Sequence, residues 1–127
     1  MHLVWIRTQD GKTVIEDLEV PSSKEIRGYE TPTIPIEGVI FRTSQPEVAM
    51  DFHNAPRRQI VVPLQGEVEI ETGDGDSRVI SAGMALLADD VNGQGHKSKF
   101  SPNDAVTLFL LLPDDLDPTE WRTDIKV

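Results

Sequence analysis

Only a few side chains in this sequence have the types and spacing to do chemistry. There are three histidines, His2, His53 and His96, and no cysteine. Thiolate nucleophiles, disulfides and cysteine-ligated zinc are therefore excluded, and any metal would need imidazole, carboxylate or amide donors. His2 is at the chain start and reads as solvent-facing. His53 stands two residues after Asp51, so on a strand both project to the same face. Gln59 follows six residues later, after the adjacent cations Arg57 and Arg58. A paired guanidinium is suited to clamping an anionic substrate. On this acid-rich chain the same pair also reads as a solvated turn or a salt bridge. Arg58 falls on the opposite side of the strand from Gln59 by parity. His96 is preceded by Asp89-Asp90 and by Gly93-Gln94-Gly95. The two aspartates read as a lid, a secondary ligand or an Asx turn, and the two glycines as a gate or simple turn geometry.

The bulk composition limits what those residues can serve. The chain has 127 residues, enough for one domain with one core. Its 38% apolar content is too high for a disordered chain. The formal net charge is −10, and the longest basic run is Arg57-Arg58. A duplex-binding surface needs clustered cations to displace counterions, so nucleic acid is not expected as a partner. Met1 to Ile6 is too short an apolar run for a signal peptide or a membrane span, so a cytoplasmic protein with no membrane partner is expected.

The elements that must position these residues are short β runs separated by Gly, Pro, Asp and Asn. His2 to Thr8 and Lys12 to Val20 flank Gln9-Asp10-Gly11 and read as a hairpin. Residues 21–35 contain three prolines and read as a long irregular arm. Further strands are expected at Gly38 to Thr43, Val48 to His53, Gln59 to Leu64, Gly66 to Thr72, Arg78 to Ser81, Met84 to Ala88, His96 to Phe100 and Ala105 to Leu112. In Gly66 to Thr72, Val68 and Ile70 alternate with Glu67, Glu69 and Glu71, the pattern of a strand with one face in the core. Ala105 to Leu112 is continuously apolar, which predicts burial on both faces or a subunit contact. Asp117 to Arg122 predicts one helical turn, with Asp117 as N-cap and Pro118 in the first position. Trp5, Trp121 and Phe109 read as core or dimer-contact residues. About ten short strands at this spacing predict an all-β sandwich or barrel of jelly-roll type.

Residues 38–112 resemble the cupin superfamily, whose motifs are written G-x5-H-x-H-x3,4-E-x6-G and G-x5-P-x-G-x2-H-x3-N. His53 stands at the second histidine of the first motif, and Gln59, seven before Gly66, at the glutamate. Asp51 stands at the first histidine, and Gln45 replaces the leading glycine. The second motif starts at Gly83. Asp89 and Val91 replace its proline and glycine, His96 arrives two residues late, and Phe100 stands at the asparagine. The stretches HNAPRRQ, LQGEVEIETGDG and LLADDVNGQGH are similar to a branch of small single-domain bacterial and fungal cupins.

The resemblance implies a double-stranded β-helix (a jelly-roll cupin barrel) with an N-terminal β-hairpin. Residues 1–35 would form the hairpin and arm, 36–112 the barrel core and 113–127 a C-terminal extension. It implies that His53, His96, Asp51 and Gln59 converge in the barrel. A 2-His-1-carboxylate set of that kind suits a divalent metal, Fe, Mn, Ni or Zn. The same residues could form a hydrogen-bonded polar cluster with no metal, and Asp51 could hold the His53 ring instead of a metal. Arg57 and Arg58 are the candidate substrate-binding residues. The functional expectation is a metal-dependent enzyme on a small, oxygenated or anionic metabolite, with no organic cofactor. Its alternatives are a non-catalytic small-molecule-binding module and a vestigial structural cupin. A homodimer is expected by analogy.

Overall fold

The turn between the first two strands shows how local sequence sets the geometry. In the computed structural model, which describes residues 1–45 and 49–122, β1 (His2–Gln9) and β2 (Lys12–Glu19) meet at Asp10 and Gly11, with φ of 52° and 80°. Two successive left-handed residues match the right-handed twist of the flanking strands, which explains the Asp-Gly pair. The arm at 21–35 is less irregular than its prolines suggest. β3 (Ser23–Glu25) and β4 (Gly28–Glu30) form a small hairpin of exposed residues around Ile26-Arg27.

The remaining strands are β5 (Gly38–Thr43), β6 (Ala49–His53), β7 (Gln59–Glu71), β8 (Ser77–Ser81), β9 (Leu86–Asp89) and β10 (His96–Leu111). Val48, the first residue of the expected sixth run, lies outside the described residues. The four runs expected at 59–64, 66–72, 96–100 and 105–112 are two long strands, each bent in the middle. β7 bends at Gly66, where φ is 89°. A Cβ there would stand 2.5 Å from the Ser101 carbonyl oxygen and 2.9 Å from Ala105 Cβ, so the bend needs glycine. The register of β10 against β7 shifts opposite it, between Ser101 and Val106.

These two bends turn one hydrogen-bonded network of eight strands into two facing layers. One layer runs β2-β1-β9, then the first half of β7, the second half of β10, and β5. The other holds β8, the second half of β7, the first half of β10, and β6. Val61, Leu86 and Phe109 of the first layer share a core with Val68, Ile70 and Ile80 of the second. The alternation read in Gly66 to Thr72 holds: Val68 and Ile70 are buried while Glu69 and Glu71 are exposed. Fully buried side chains such as Ile6, Ile80 and Leu87 each contribute about 1.5–3 kcal/mol of transfer free energy.

A second core covers the outside of the first layer, where Leu3, Trp5, Leu18, Ile60 and Leu87 pack with Leu112 and Trp121. Trp121 arrives on a 3-10 turn, Pro118–Trp121, capped by the Asp117 carboxylate accepting from Thr119 N at 3.0 Å, as the sequence predicts. The guanidiniums of Arg7 and Arg122 lie 5.2 and 5.4 Å from the Trp5 ring centroid, and Trp5 Nε1 donates to Asp89. The apolar run of β10 is not buried on both faces. Phe109 points inward and is buried, whereas Leu108 and Leu110 point outward and are only half-buried. Among the described residues, no helix is long and apolar enough to cross a membrane.

Candidate functional site

A cavity of about 300 Å³ lies between the two layers, at the small end of the range for small-molecule sites. Its walls are mostly apolar, from Val61, Leu86 and Phe109 on one side and Val68, Ile70 and Phe100 on the other. The polar groups on it are His53, His96, Gln59, Ser98, Arg57 and Arg42.

His53 closes β6 and His96 opens β10, and the antiparallel register sets the two opposite each other. Their ring centroids are 4.5 Å apart with planes tilted by 55°. The loop before His96 fixes this pairing. Gly95 packs so tightly on the His53 carbonyl that no side chain could stand there. The Asn54 side-chain amide donates to Gly93 O at 3.0 Å, Gln94 N donates to Gly11 O at 2.8 Å, and Thr8 Oγ1 donates to Asn92 O at 2.9 Å. The glycines and Gln94 thus work as a tied turn that locks the loop to β6 and to the β1–β2 turn.

Each imidazole is oriented by its Nδ1. His53 Nδ1 lies 2.7 Å from the backbone oxygen of Asp51, a group that only accepts, so Nδ1 carries the proton and Nε2 keeps its lone pair. His96 Nδ1 lies 2.5 Å from Asp90 Oδ2, which also accepts from Thr13 Oγ1 at 2.7 Å. Asp90 is fully buried, and among the described residues its second oxygen, Oδ1, has no partner. A buried carboxylate behind an imidazole fixes the tautomer and stabilises the ring when it takes a proton. With Nδ1 held by Asp90, Nε2 is the ring nitrogen of His96 left to accept a proton.

Gln59 is buried and its Oε1 accepts from Arg57 Nη1 at 3.2 Å. That leaves the amide N–H₂ as a donor. Asp51 stands apart from this group. It is exposed, its carboxylate accepts from the backbone N–H of Phe52 at 2.8 Å, and it does not line the cavity. Arg58 is outside as well. It pairs with Asp89 at 2.7 and 3.3 Å and donates to the carbonyls of Pro113 and Asp114, tying β9 to the C-terminal segment. His2 is exposed and pairs with Asp17.

Two residues of the site have other roles, or none, in the sequence reading. Asp90 reads there as a lid residue, a secondary ligand or part of an Asx turn. The two extra residues between the second motif and His96 were the available signal, because they let the loop fold back and place a carboxylate behind the ring. Arg42 gives no signal beyond sharing a strand face with Ile40. Its guanidinium stacks on Phe100 and Phe109, 4.7 and 4.5 Å from their centroids. Arg42 is exposed as a whole residue, but partial desolvation pulls its pKa below the usual arginine value. Among the described residues it has no hydrogen bond and no ion pair.

This donor set does not fit a resident metal ion. Two imidazoles face the cavity, but the Gln59 oxygen is engaged by a guanidinium, Asp90 lies on the Nδ1 side of His96, and Asp51 is exposed. Among the described residues, no three His, Cys, Asp or Glu side chains converge as a metal-holding group. A 2-His-1-carboxylate centre needs its carboxylate on the same face as both imidazoles.

The fold and site together define an all-β roll of two facing layers with an apolar-walled cavity carrying paired histidines. Solved structures similar to it include the following two. One is a double mutant of the QdtA 3,4-ketoisomerase from Thermoanaerobacterium thermosaccharolyticum in complex with TDP, 19% identical over 80% of this chain and 81% of that one, with a TM-score of 0.41. The other is described as a mannose-6-phosphate isomerase by inference, from Ralstonia eutropha JMP134, 15% identical over 87% and 81%, with a TM-score of 0.34. No protein-family model matches the chain, and no curated protein does.

Proposed function

We propose that the cavity binds a small oxygenated anion and that His96, backed by Asp90, moves a proton on it without a resident metal. The observation that supports this reading is the buried Asp90–His96 pair beside His53 in an apolar-walled hollow. The reaction class is proton abstraction from carbon next to a carbonyl, giving an enolate, followed by return of the proton to the same or a neighbouring atom. His96 Nε2 takes the proton and Asp90 balances the imidazolium. The Gln59 N–H₂ and Arg57 stabilise negative charge on the substrate oxygen, and His53 Nε2 is the second proton-accepting group.

The test is solvent exchange. The untagged protein is incubated in D₂O with a set of small oxo acids, and loss of C–H signal is followed by proton NMR. Exchange that EDTA leaves unchanged and His96→Gln abolishes is the expected result. Stoichiometric divalent metal in the protein, lost in His53→Ala, would replace this reading with the metal-dependent one. Saturable binding with no exchange would make the chain a binding module.

We also propose a second copy of the chain as the cover for the outer face of β5 and β10. The register sets exposed Phe41 beside Leu108 and Val62, and exposed Val39 beside Leu110, at the open edge of the sheet. A self-complementary apolar patch of this kind closes as a two-fold pair. Sedimentation should show a dimer for the wild type and a monomer for Phe41→Asp; a monomeric wild type contradicts it.

A further inference from the structure

Arg42 is conspicuous on a chain with 22 acidic and 12 basic residues. Among the described residues no carboxylate pairs with its guanidinium. Arg42 is also not loose. It is held by two aromatic faces, Phe100 from one layer and Phe109 from the other, on the wall of the cavity. An aromatic-stacked guanidinium keeps its N–H fork available and has already lost much of its conformational freedom. Phe100 lies four residues along β10 from His96, a backbone separation of about 13 Å at about 3.3 Å per residue. The guanidinium stacked on Phe100 and the imidazole of His96 therefore belong to different stretches of the cavity wall, and other wall residues are apolar: Val61, Leu86 and Ile70.

We infer that Arg42 is the specificity-determining residue of the site and selects an elongated carboxylate, with an apolar middle and an oxygenated carbon at the far end. This rests on the proton-transfer reading for the far end only; the recognition of the carboxylate is independent of it. Arg57 serves the other end of the ligand, because its guanidinium is bonded to Gln59, which shares the cavity wall with the histidines. The ligand enters with its head against Arg42 and the carbon next to its carbonyl against His96.

The probe is 7-oxooctanoate, with its methyl ester as the uncharged control, titrated by calorimetry against wild type, Arg42→Met and Arg42→Lys, each checked for an unchanged melting temperature. Wild type should bind the acid at least about ten-fold more tightly than the ester, as a charge-assisted forked contact provides. Arg42→Met should lose about 10- to 100-fold for the acid and under about three-fold for the ester. Arg42→Lys should fall between, because an ammonium keeps the charge and loses the fork. Equal affinity for acid and ester in the wild type, an equal loss of both in Arg42→Met, or no saturable binding at millimolar concentration would each overturn the inference. Deuterium exchange at C6 and C8 of the same probe separates it from the proton-transfer reading. A preserved acid-to-ester ratio without exchange removes only the role of His96; exchange without an acid preference removes only that of Arg42.

Discussion

Replacing Gly95 by alanine tests the positioning of the histidine pair through a single methyl group. The residue has a φ of 80°, and an added Cβ would overlap the carbonyl carbon and oxygen of His53 and stand 3.0 Å from Asn54 N. The left-handed backbone alone costs an alanine about 1–2 kcal/mol. The overlap is with backbone, which cannot swing aside as a side-chain tip can, so the end of β6 must shift at a further cost of about 1–3 kcal/mol. The total is about 2–5 kcal/mol, a fall in Tm of about 8–20 °C for a chain of this size. Gly83→Ala is the matched control: its φ is 89° but nothing lies within 4 Å of the added Cβ. It should lose only the backbone part, about 1–2 kcal/mol. Any gain from stiffening the unfolded chain is common to both and cancels in the comparison. Urea unfolding with a ring-proton NMR spectrum reads both consequences, since Gly95→Ala should also move the His53 signals and Gly83→Ala should not. Equal destabilisation by the two variants, or unmoved His53 signals in Gly95→Ala, would refute the reasoning.

The two neighbouring arginines should separate stability from binding. Arg58→Met removes a largely buried pair with Asp89 and should cost about 2–3 kcal/mol in urea unfolding while ligand affinity holds; Arg57→Met should change stability by under about 0.5 kcal/mol and weaken binding. Gln59→Glu puts a carboxylate on the cavity face with both imidazoles, and it should make Tm rise with added Zn(II) or Ni(II) where the wild type does not respond. An equal rise in the wild type would show that its own donors suffice. Asp17 is bonded to Arg78 at 2.7 and 3.1 Å and to His2 at 2.8 Å, and the Arg78 guanidinium first, then His2, holds its pKa down to about 2 from 3.8. A folded pKa below the unfolded one favours folding when the group is ionised. The advantage of wild type over Asp17→Asn should be complete above pH 4 and disappear as pH falls through about 2. The pair is half-exposed and screened, so the difference in urea unfolding should be under about 1 kcal/mol.

Much of the fold was legible because alternation and glycine report directly on backbone geometry. Val68 and Ile70 against three glutamates marked the inner face of β7, and Asp10-Gly11 marked the first turn. The strand breaks at Gly66 and near Ser101 were misread for a physical reason. A glycine that ends a strand and one that bends it through a left-handed residue look alike in sequence, and only the partner strand shows that the ladder continues. The apolar run of β10 exceeded what the core required because its outward residues are left half-covered. The hairpin at 23–30 is formed from exposed polar residues with no period to detect. In the site, His53 and His96 were placed by the resemblance to the cupin motifs, at or near whose histidine positions they stand. Asp90 could not be placed, since its position depends on how a lengthened loop folds back. Nor could Arg42, whose stacking needs two aromatic rings from opposite layers. Asp51 shows the limit of parity: its residue sits two from His53, yet its carboxylate is used by the adjacent backbone N–H.

The measurement closest to the central claim is the tautomeric state of the two cavity histidines, read from long-range proton–nitrogen NMR correlations with both rings neutral. The account predicts a protonated Nδ1 and a bare Nε2 on both His53 and His96, with Asp90→Asn disturbing the His96 pattern and leaving that of His53. A proton on Nε2 of His96, or a His96 pattern indifferent to Asp90→Asn, would contradict it.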